Sequence, residues 1–157
     1  GVYSNGRRGY GAAEVIEALE ENGVTVLQDE TALIDDRFYL IGRQDASEAA
    51  GRADMAALTQ GLDADKFSIV LDHQPHDYAA QAASGVDLVL SGHTHGGQMI
   101  PLMQLIKLFK LGGDDSAYGL KHIGDTDFIV TSGISDWEIL FKTGCRSEFV
   151  IIDIEGK

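Results

Sequence analysis

The first clear pattern in the chain is a helical one. Residues 12–21 place Val15, Ile16 and Leu19 on one face of a helix and four glutamates elsewhere. Asn22-Gly23 follows directly and supplies a helix stop. We therefore predict an amphipathic surface helix over residues 12–21.

Short runs of apolar and β-branched residues recur along the rest of the chain and predict strands. We expect a hairpin that turns at Asp35-Asp36, a loop leading into a helix within residues 46–61, and a small helix at 78–83. The predicted strands are residues 24–27, 31–35, 37–42, 67–71, 86–90, 128–131 and 149–154, with a loop around Trp137 between the last two. This order of elements indicates an α/β fold with a layered core.

Composition and charge limit what the chain does. Its 157 residues, 44% of them hydrophobic and 24% charged, predict one folded domain over residues 1–157. The formal net charge of -13 would repel a polyphosphate backbone, so we expect no nucleic-acid partner. An acidic protein that handles phosphate esters needs local positive charge, which divalent metal ions supply.

Cysteine content and the start of the chain bear on location. The single Cys145 forms no internal disulfide, and no apolar signal-peptide stretch opens the sequence. No apolar run approaches the ~20 residues of a membrane-spanning helix. We therefore expect a cytoplasmic protein, and an anchor in a preceding segment that would bring it to a membrane is left open.

Three of the five histidines directly follow predicted strands. His73 follows residues 67–71, and His93 and His95 follow residues 86–90. The strand–helix–strand order favours parallel pairing, so the strand ends meet at the edge where α/β proteins bind ligands. An extended backbone at 93–95 would put both imidazoles on one face. The spacing alone leaves ordinary polar loop residues open as an alternative.

Two longer motifs carry a resemblance to a known family. Leu71-Asp72-His73-Gln74-Pro75 and Ser91-Gly92-His93-Thr94-His95-Gly96-Gly97-Gln98, followed by Pro101, resemble the small bacterial branch of the calcineurin-like metallophosphoesterases. Gly133-Ile134-Ser135-Asp136-Trp137 and Arg146-Ser147-Glu148-Phe149 resemble the closing loop and last strand of that branch. The resemblance implies an α/β, layered β-sandwich with flanking helices, of which residues 1–157 form the C-terminal part.

The resemblance also implies a function and a site. The family hydrolyses phosphate mono- or diesters at a dinuclear metal site, so the implied cofactors are two divalent ions, with Mn, Fe or Zn as candidates. His73 and His93 would bind one ion and His95 the second. Gly92, Gly96 and Gln98 would line the pocket for a small phosphate-ester substrate.

The family's remaining metal ligands come from three upstream segments that this sequence does not match. Asp-x-His and Gly-Asp-x-x-Asp are absent before the histidines, and Arg7 and Arg8 stand where the Asn and His of Gly-Asn-His-Asp would lie. A guanidinium offers no lone pair to a metal. We assign no catalytic residue, and expect half a metal site, weak metal binding and little turnover.

A non-catalytic reading remains open beside the enzymatic one. Arg7 and Arg8 could bind phosphate directly in a phosphate-binding or assembly module, whether the chain is a fragment or a pseudoenzyme. An incomplete sandwich leaves strand edges and apolar faces uncovered, so we also expect a homo-oligomer.

Several other residues favour structural roles. His76 and His122 are expected to be structural or solvated, and Cys145 to be inert. Arg43-Gln44-Asp45 predicts a strand-end salt bridge rather than a pocket lining. The apolar stretch at 102–111 is read as a lid or core helix, with contact to lipid as the alternative.

Overall fold

The computed structural model describes residues 11–46, 51–96, 98, 101, 105, 118–136 and 141–155. The predictions for Arg7, Arg8, Gly97, Trp137 and, apart from Leu105, the stretch 102–111 lie outside these residues. Within the described part, no helix combines the length and apolarity that crossing a bilayer requires.

Three helices are interspersed with the first four strands of the described residues. The elements are α1 (Ala12–Glu21), β1 (Glu30–Ile34), β2 (Phe38–Gly42), α2 (Met55–Leu58), β3 (Phe67–Leu71), α3 (Tyr78–Ala83), β4 (Leu88–Ser91), β5 (Gly119–Ile123) and β6 (Thr126–Val130). The predicted helix at 12–21, the hairpin, and the strand–helix–strand unit around α3 are confirmed.

The strands form one six-stranded sheet in the order β1-β2-β3-β4-β6-β5. The four inner strands β2, β3, β4 and β6 are parallel, and β1 and β5 pair antiparallel at the two edges. The α/β class with flanking helices is therefore confirmed, although the described strands build a single sheet rather than two stacked ones. Parallel inner strands bring four carboxyl ends to the same edge.

The hairpin between β1 and β2 has a local cause. Asp35 and Asp36 both adopt positive φ, at 50° and 55°, which is the geometry of a type I′ turn. Arg37 N donates to Ile34 O at 2.9 Å and closes the turn. Aspartate tolerates this left-handed region better than most residues, so the sequence itself favours the turn.

The core lies between the sheet and the helices α2 and α3. Ile41, Val70, Val89 and Phe128 are in register across the four parallel strands and are almost fully buried. The ring of Tyr78 from α3 stacks on Phe128 with centroids 4.2 Å apart. This packing holds the parallel strands, and with them the loops at their carboxyl ends, in fixed relation.

Two strand predictions were wrong, and one strand was not predicted. Residues 24–27 form no strand because they cross close over Gly42, where an added Cβ would lie 2.3 Å from the Cβ of Leu27. β5 was missed, although Gly124-Asp125 marks the two-residue turn that joins it to β6. Residues 149–154 pair with no strand in the described part of the chain, and Phe149 and Ile151 are exposed.

Candidate functional site

The carboxyl ends of β3 and β4 place His73 and His93 side by side. Asp72 N donates to Leu90 O at 3.1 Å, and Gly92 N donates to His73 O at 3.2 Å. These hydrogen bonds continue the parallel pairing past the end of both strands. The two histidine loops are consequently joined by the backbone and anchored to the core.

The two imidazoles meet through one nitrogen each. His73 Nε2 and His93 Nδ1 lie 3.2 Å apart, and the rings are nearly perpendicular, with centroids 5.0 Å apart and an interplanar angle of 77°. Two nitrogens bound to one tetrahedral metal at the usual zinc–nitrogen distance lie roughly 3.3–3.4 Å apart. The spacing of the pair therefore fits two ligands of a single metal ion, and it is also a hydrogen-bond distance when one of the two nitrogens carries a proton.

The environment of this pair favours neutral imidazoles. Burial, the largest cause, lowers the pKa of His73 and of His93 below its ordinary value. The negative charge of Asp45 acts on both rings in the opposite direction, but it does not reverse the shift. Neutral imidazole is the form that has a lone pair for a metal.

His95 faces a different part of the molecule. Its Nδ1 lies 3.2 Å from the carbonyl oxygen of Ser135. A carbonyl oxygen only accepts, so the contact places a proton on Nδ1, and in the neutral ring with that proton the lone pair is on Nε2. The expectation that an extended backbone puts His93 and His95 on one face was wrong, because both residues have positive φ, at 65° and 50°.

The ligand set in the described residues is a pair and not a cluster. No group of three or more His, Cys, Asp or Glu side chains there comes close enough to hold a metal ion. A cleft of about 520 Å³ opens beside the pair. Its lining includes apolar residues of α1, β2, β3 and β4 together with Asp45, His73, Gly92 and Thr131.

The glycines and glutamine of the histidine loop have defined structural surroundings. Gly96 has φ +59°, and an added Cβ would lie 2.8 Å from the Cβ of Ser132, so only glycine fits there. Gln98 Nε2 donates to Phe141 O at 3.0 Å. Gly92 is half-buried and lies at the cleft. The role of Gly92, Gly96 and Gln98 in substrate binding stays a prediction.

A buried ion-pair network lies beneath the histidine loops. Asp72, which is 2% exposed, accepts hydrogen bonds from Arg43 at 3.0 Å, from Arg52 at 2.9 and 3.1 Å, and from Gln81 at 3.1 Å. Burial raises the pKa of the Asp72 carboxyl, and the charges of Arg52 and Arg43 oppose that rise. The salt bridge expected for Arg43 is thus present, with partners that sequence reading did not find.

Arg43, Gln44 and Asp45 do line the cleft, contrary to the expectation that this segment forms a salt bridge rather than a pocket lining. The contact between Asp45 and Gln74 was not predicted. Gln74 is buried, its Nε2 donates to Asp45 Oδ1 at 2.9 Å, and its Oε1 accepts from Ala46 N at 3.1 Å. Gln74 thus ties the loop after β2 to the loop of His73. The sequence signals for this contact were position, since Asp45 and Gln74 each follow the end of a predicted strand, and the place of Gln74 in the first histidine motif.

The remaining predicted residues lie apart from the histidine pair or beside it. His76 and His122 are exposed, and His122 contacts Asp127 across the β5–β6 pair. Cys145 is half-buried against the histidine loop, where its Sγ donates to His95 O at 2.8 Å.

Known proteins resemble this chain over much of its length. An uncharacterized metallophosphoesterase of Campylobacter jejuni is 40% identical over 105 residues, which cover 66% of this chain and 27% of the relative. One of Bacillus subtilis is 30% identical over 135 residues, covering 83% of this chain and 49% of the relative. A transmembrane protein with metallophosphoesterase domain of Bos taurus is 34% identical over 106 residues, covering 66% and 23%.

This chain spans between about a quarter and a half of the length of these relatives. No family model matches the chain, and no solved structure matches it. The names of these relatives agree with the family that the two histidine motifs resemble. The chain belongs to the calcineurin-like metallophosphoesterase family.

Proposed function

We propose that this protein is a metal-dependent phosphoesterase for small-molecule phosphate mono- or diesters, with His73 and His93 ligating one divalent ion and His95 a second. The observation that carries the proposal is the 3.2 Å separation of His73 Nε2 and His93 Nδ1 at the carboxyl edge of the sheet. The names of the relatives support the reaction class at family level.

The side chains of the site suit this role in their charge as well as their position. Neutral imidazoles leave the full charge of a bound cation available to an anionic substrate, in a chain whose net charge of -13 would otherwise repel it. A divalent ion held there would polarise a phosphoryl oxygen and activate water. Gly92 and Gly96 would let the substrate approach the backbone, and Gln98 would line the pocket.

Histidine nitrogen suits several first-row metals, so Mn, Fe and Zn all stay candidates. The bond from His95 Nδ1 to the Ser135 carbonyl supports His95 as a ligand, because metal-binding histidines donate their other ring nitrogen in this way. We further propose that the protein works in the cytoplasm close to a membrane. A relative from Bos taurus is named a transmembrane protein with a metallophosphoesterase domain.

A non-catalytic phosphate-binding or assembly module is the second candidate. One observation favours it: the described residues bring together two candidate ligands rather than three or more. Exposed apolar side chains on the C-terminal segment, among them Phe149 and Ile151, also favour a homo-oligomer in which a second copy covers them. A monomer in sedimentation would remove the assembly role.

Metal analysis of a single histidine variant tests the proposal. The purified chain is incubated with excess Mn²⁺, Fe²⁺ or Zn²⁺, desalted and analysed for bound metal, and hydrolysis of bis-p-nitrophenyl phosphate and p-nitrophenyl phosphate is measured alongside. We expect His93→Ala to weaken metal binding ~100-fold or more, since losing even an outer-shell partner costs about 10–100-fold.

The matched control is His122→Ala, which removes an imidazole that is exposed beside Asp127 on β6. Its metal content should equal that of the unmodified chain. Equal metal content in His93→Ala and the unmodified chain would contradict the assigned site. A chain that takes up no metal at all would instead support the non-catalytic module.

A further inference from the structure

The second half of the histidine loop is held by residues far along the chain. Thr143 N and Gly144 N both donate to the carbonyl oxygen of Gln98, at 2.8 and 3.2 Å. Cys145 Sγ donates to the carbonyl oxygen of His95 at 2.8 Å. Residues 141–148 therefore run against this loop, and whatever fixes them also fixes the loop.

Glu148 connects residues 141–148 to the sheet through its side chain. Its Oε1 accepts from Ser132 N at 2.9 Å and from Thr131 Oγ1 at 3.1 Å, and its Oε2 accepts from the Tyr118 hydroxyl at 2.7 Å. The hydrogen bond from the Ser132 backbone is the largest cause of the lowered pKa of Glu148, and the bonds from Tyr118 and Thr131 lower it further. The side chain is a carboxylate at neutral pH and ties the end of β6 to the start of β5.

The same residue also holds the turn that His95 contacts. Glu148 N donates to Gly133 O at 3.1 Å, so its backbone and side chain bracket the first residues after β6. Two residues later, the Ser135 carbonyl accepts from His95 Nδ1. Lys142 Nζ reaches Gly133 O as well, but only at 3.4 Å.

Glu148 also constrains the position of His95 through the packing of Ser132 against Gly96. Glu148 holds Ser132, and Gly96 lies so close to Ser132 that an added Cβ would be 2.8 Å from the serine Cβ. Ser132 Oγ in turn donates to Arg146 O at 2.9 Å. A shift of Ser132 would therefore move the residue that directly follows His95.

We propose that Glu148 is a positioning residue for His95: it holds Ser132 and the following turn so that the Ser135 carbonyl fixes His95 with Nδ1 protonated and Nε2 available. The link to catalysis rests on the proposed function, in which His95 is a metal ligand. The placement of the ring does not depend on that function, because the contacts that carry it involve only this chain.

The tautomer of His95 is the measurement that tests this role. In the 157-residue chain, two-bond ¹H–¹⁵N correlation spectra assign the protonated nitrogen of each imidazole. We expect Nδ1–H at His95 in the unmodified chain, and loss of that preference in Glu148→Ala, with His73 and His93 unchanged. Glu148→Gln keeps an acceptor for Ser132 N and is expected to restore the Nδ1–H form.

The matched control is Glu155→Ala, which removes an exposed carboxylate from the same C-terminal segment and should leave all three tautomers unchanged. Circular dichroism verifies that each variant is folded. If Glu148→Ala does not fold, Glu148→Asp, whose side chain is one methylene shorter, takes its place with the same expected direction. An unaltered His95 tautomer in folded Glu148→Ala, or in folded Glu148→Asp where that variant replaces it, overturns the proposal.

Metal binding separates this proposal from the proposed function. If the chain binds two ions, Glu148→Ala should lose the ion assigned to His95 and keep the ion at His73 and His93. If the chain binds none, the proposed function fails, and the tautomer result still decides whether Glu148 positions His95.

Discussion

Replacing Asp72 with alanine tests whether the ion-pair network beneath the histidine loops holds them in place. The substitution removes four hydrogen bonds, from Arg43 at 3.0 Å, from Arg52 at 2.9 and 3.1 Å, and from Gln81 at 3.1 Å. It leaves the Arg43 guanidinium, with a side chain only 3% exposed, with Asp77 at 3.6 Å as its one ion-pair partner among the described residues. Within the described residues, Arg43 Nε already has no hydrogen-bond partner.

The expected loss follows from this burial. Removing one partner of a buried ion pair costs about 3–5 kcal/mol, because the remaining charge stays uncompensated. Whole domains are stable by about 5–15 kcal/mol, so the loss is a large share of the total. In urea unfolding followed by circular dichroism, the midpoint should fall by roughly 1.5–2.5 M for an m-value near 2 kcal/mol/M.

Asp77 offers the matched control within the same network. It contacts Arg52 at 2.7 Å, but its side chain is 52% exposed, so loss of its charge should cost at most about 1 kcal/mol. The substitution is Asp77→Asn, because asparagine, unlike alanine, tolerates the positive φ of 59° at this position. The double variant with Arg43→Met and Asp72→Ala should be more stable than Asp72→Ala alone, because it removes one charge that lost its partner. An Asp72→Ala loss no larger than that of Asp77→Asn would refute the reasoning.

Two further outcomes follow from the same structure. In thermal or urea unfolding, Gly96→Ala should lower the free energy of unfolding by about 1–2 kcal/mol because of the left-handed backbone alone, and by more because of the clash with Ser132. Gly92→Ala, which has open space where the Cβ would lie, should change it by less than about 0.5 kcal/mol. Equal stabilities would contradict the close approach. The hydrogen bond from Arg52 lowers the pKa of Asp77 below its ordinary 3.8, so its stabilising contribution is present above that pH and is lost as the pH falls through the lower folded value. Acid unfolding of Asp77→Asn should therefore depend less on pH below 3.8 than that of the unmodified chain, and identical acid profiles would exclude this contribution.

Elements with a local cause could be predicted from the sequence. The helix at Ala12–Glu21 followed from one apolar stripe and an Asn-Gly stop, and the hairpin followed from two aspartates that accept positive φ. The histidine positions at the ends of β3 and β4 were also predictable. Two apolar strands around a short helix favour parallel pairing, and parallel pairing brings their carboxyl ends together.

Elements whose place depends on distant neighbours could not be predicted. Residues 24–27 have the composition of a strand, but they cross over Gly42 instead of pairing at an edge. Residues 149–154 look like a strand as well, yet β-branched residues pair only where a neighbouring strand presents a free edge to them. β5 was not predicted because it lacks a continuous apolar run. It lies at an edge of the sheet, where alternate side chains are exposed and need not be apolar.

The sequence by itself determined the family motif, the strand ends that carry the histidines, and the acidic charge that calls for a bound cation. Only the tertiary structure decided that His73 and His93 meet at 3.2 Å, that His95 turns away toward Ser135, and that Asp72 is buried between two arginines. Side-chain direction in these loops depends on positive φ values and on partners 20 to 40 residues away. Periodicity along the chain reports only on near neighbours, so such contacts appear once the sheet has brought its strand ends together.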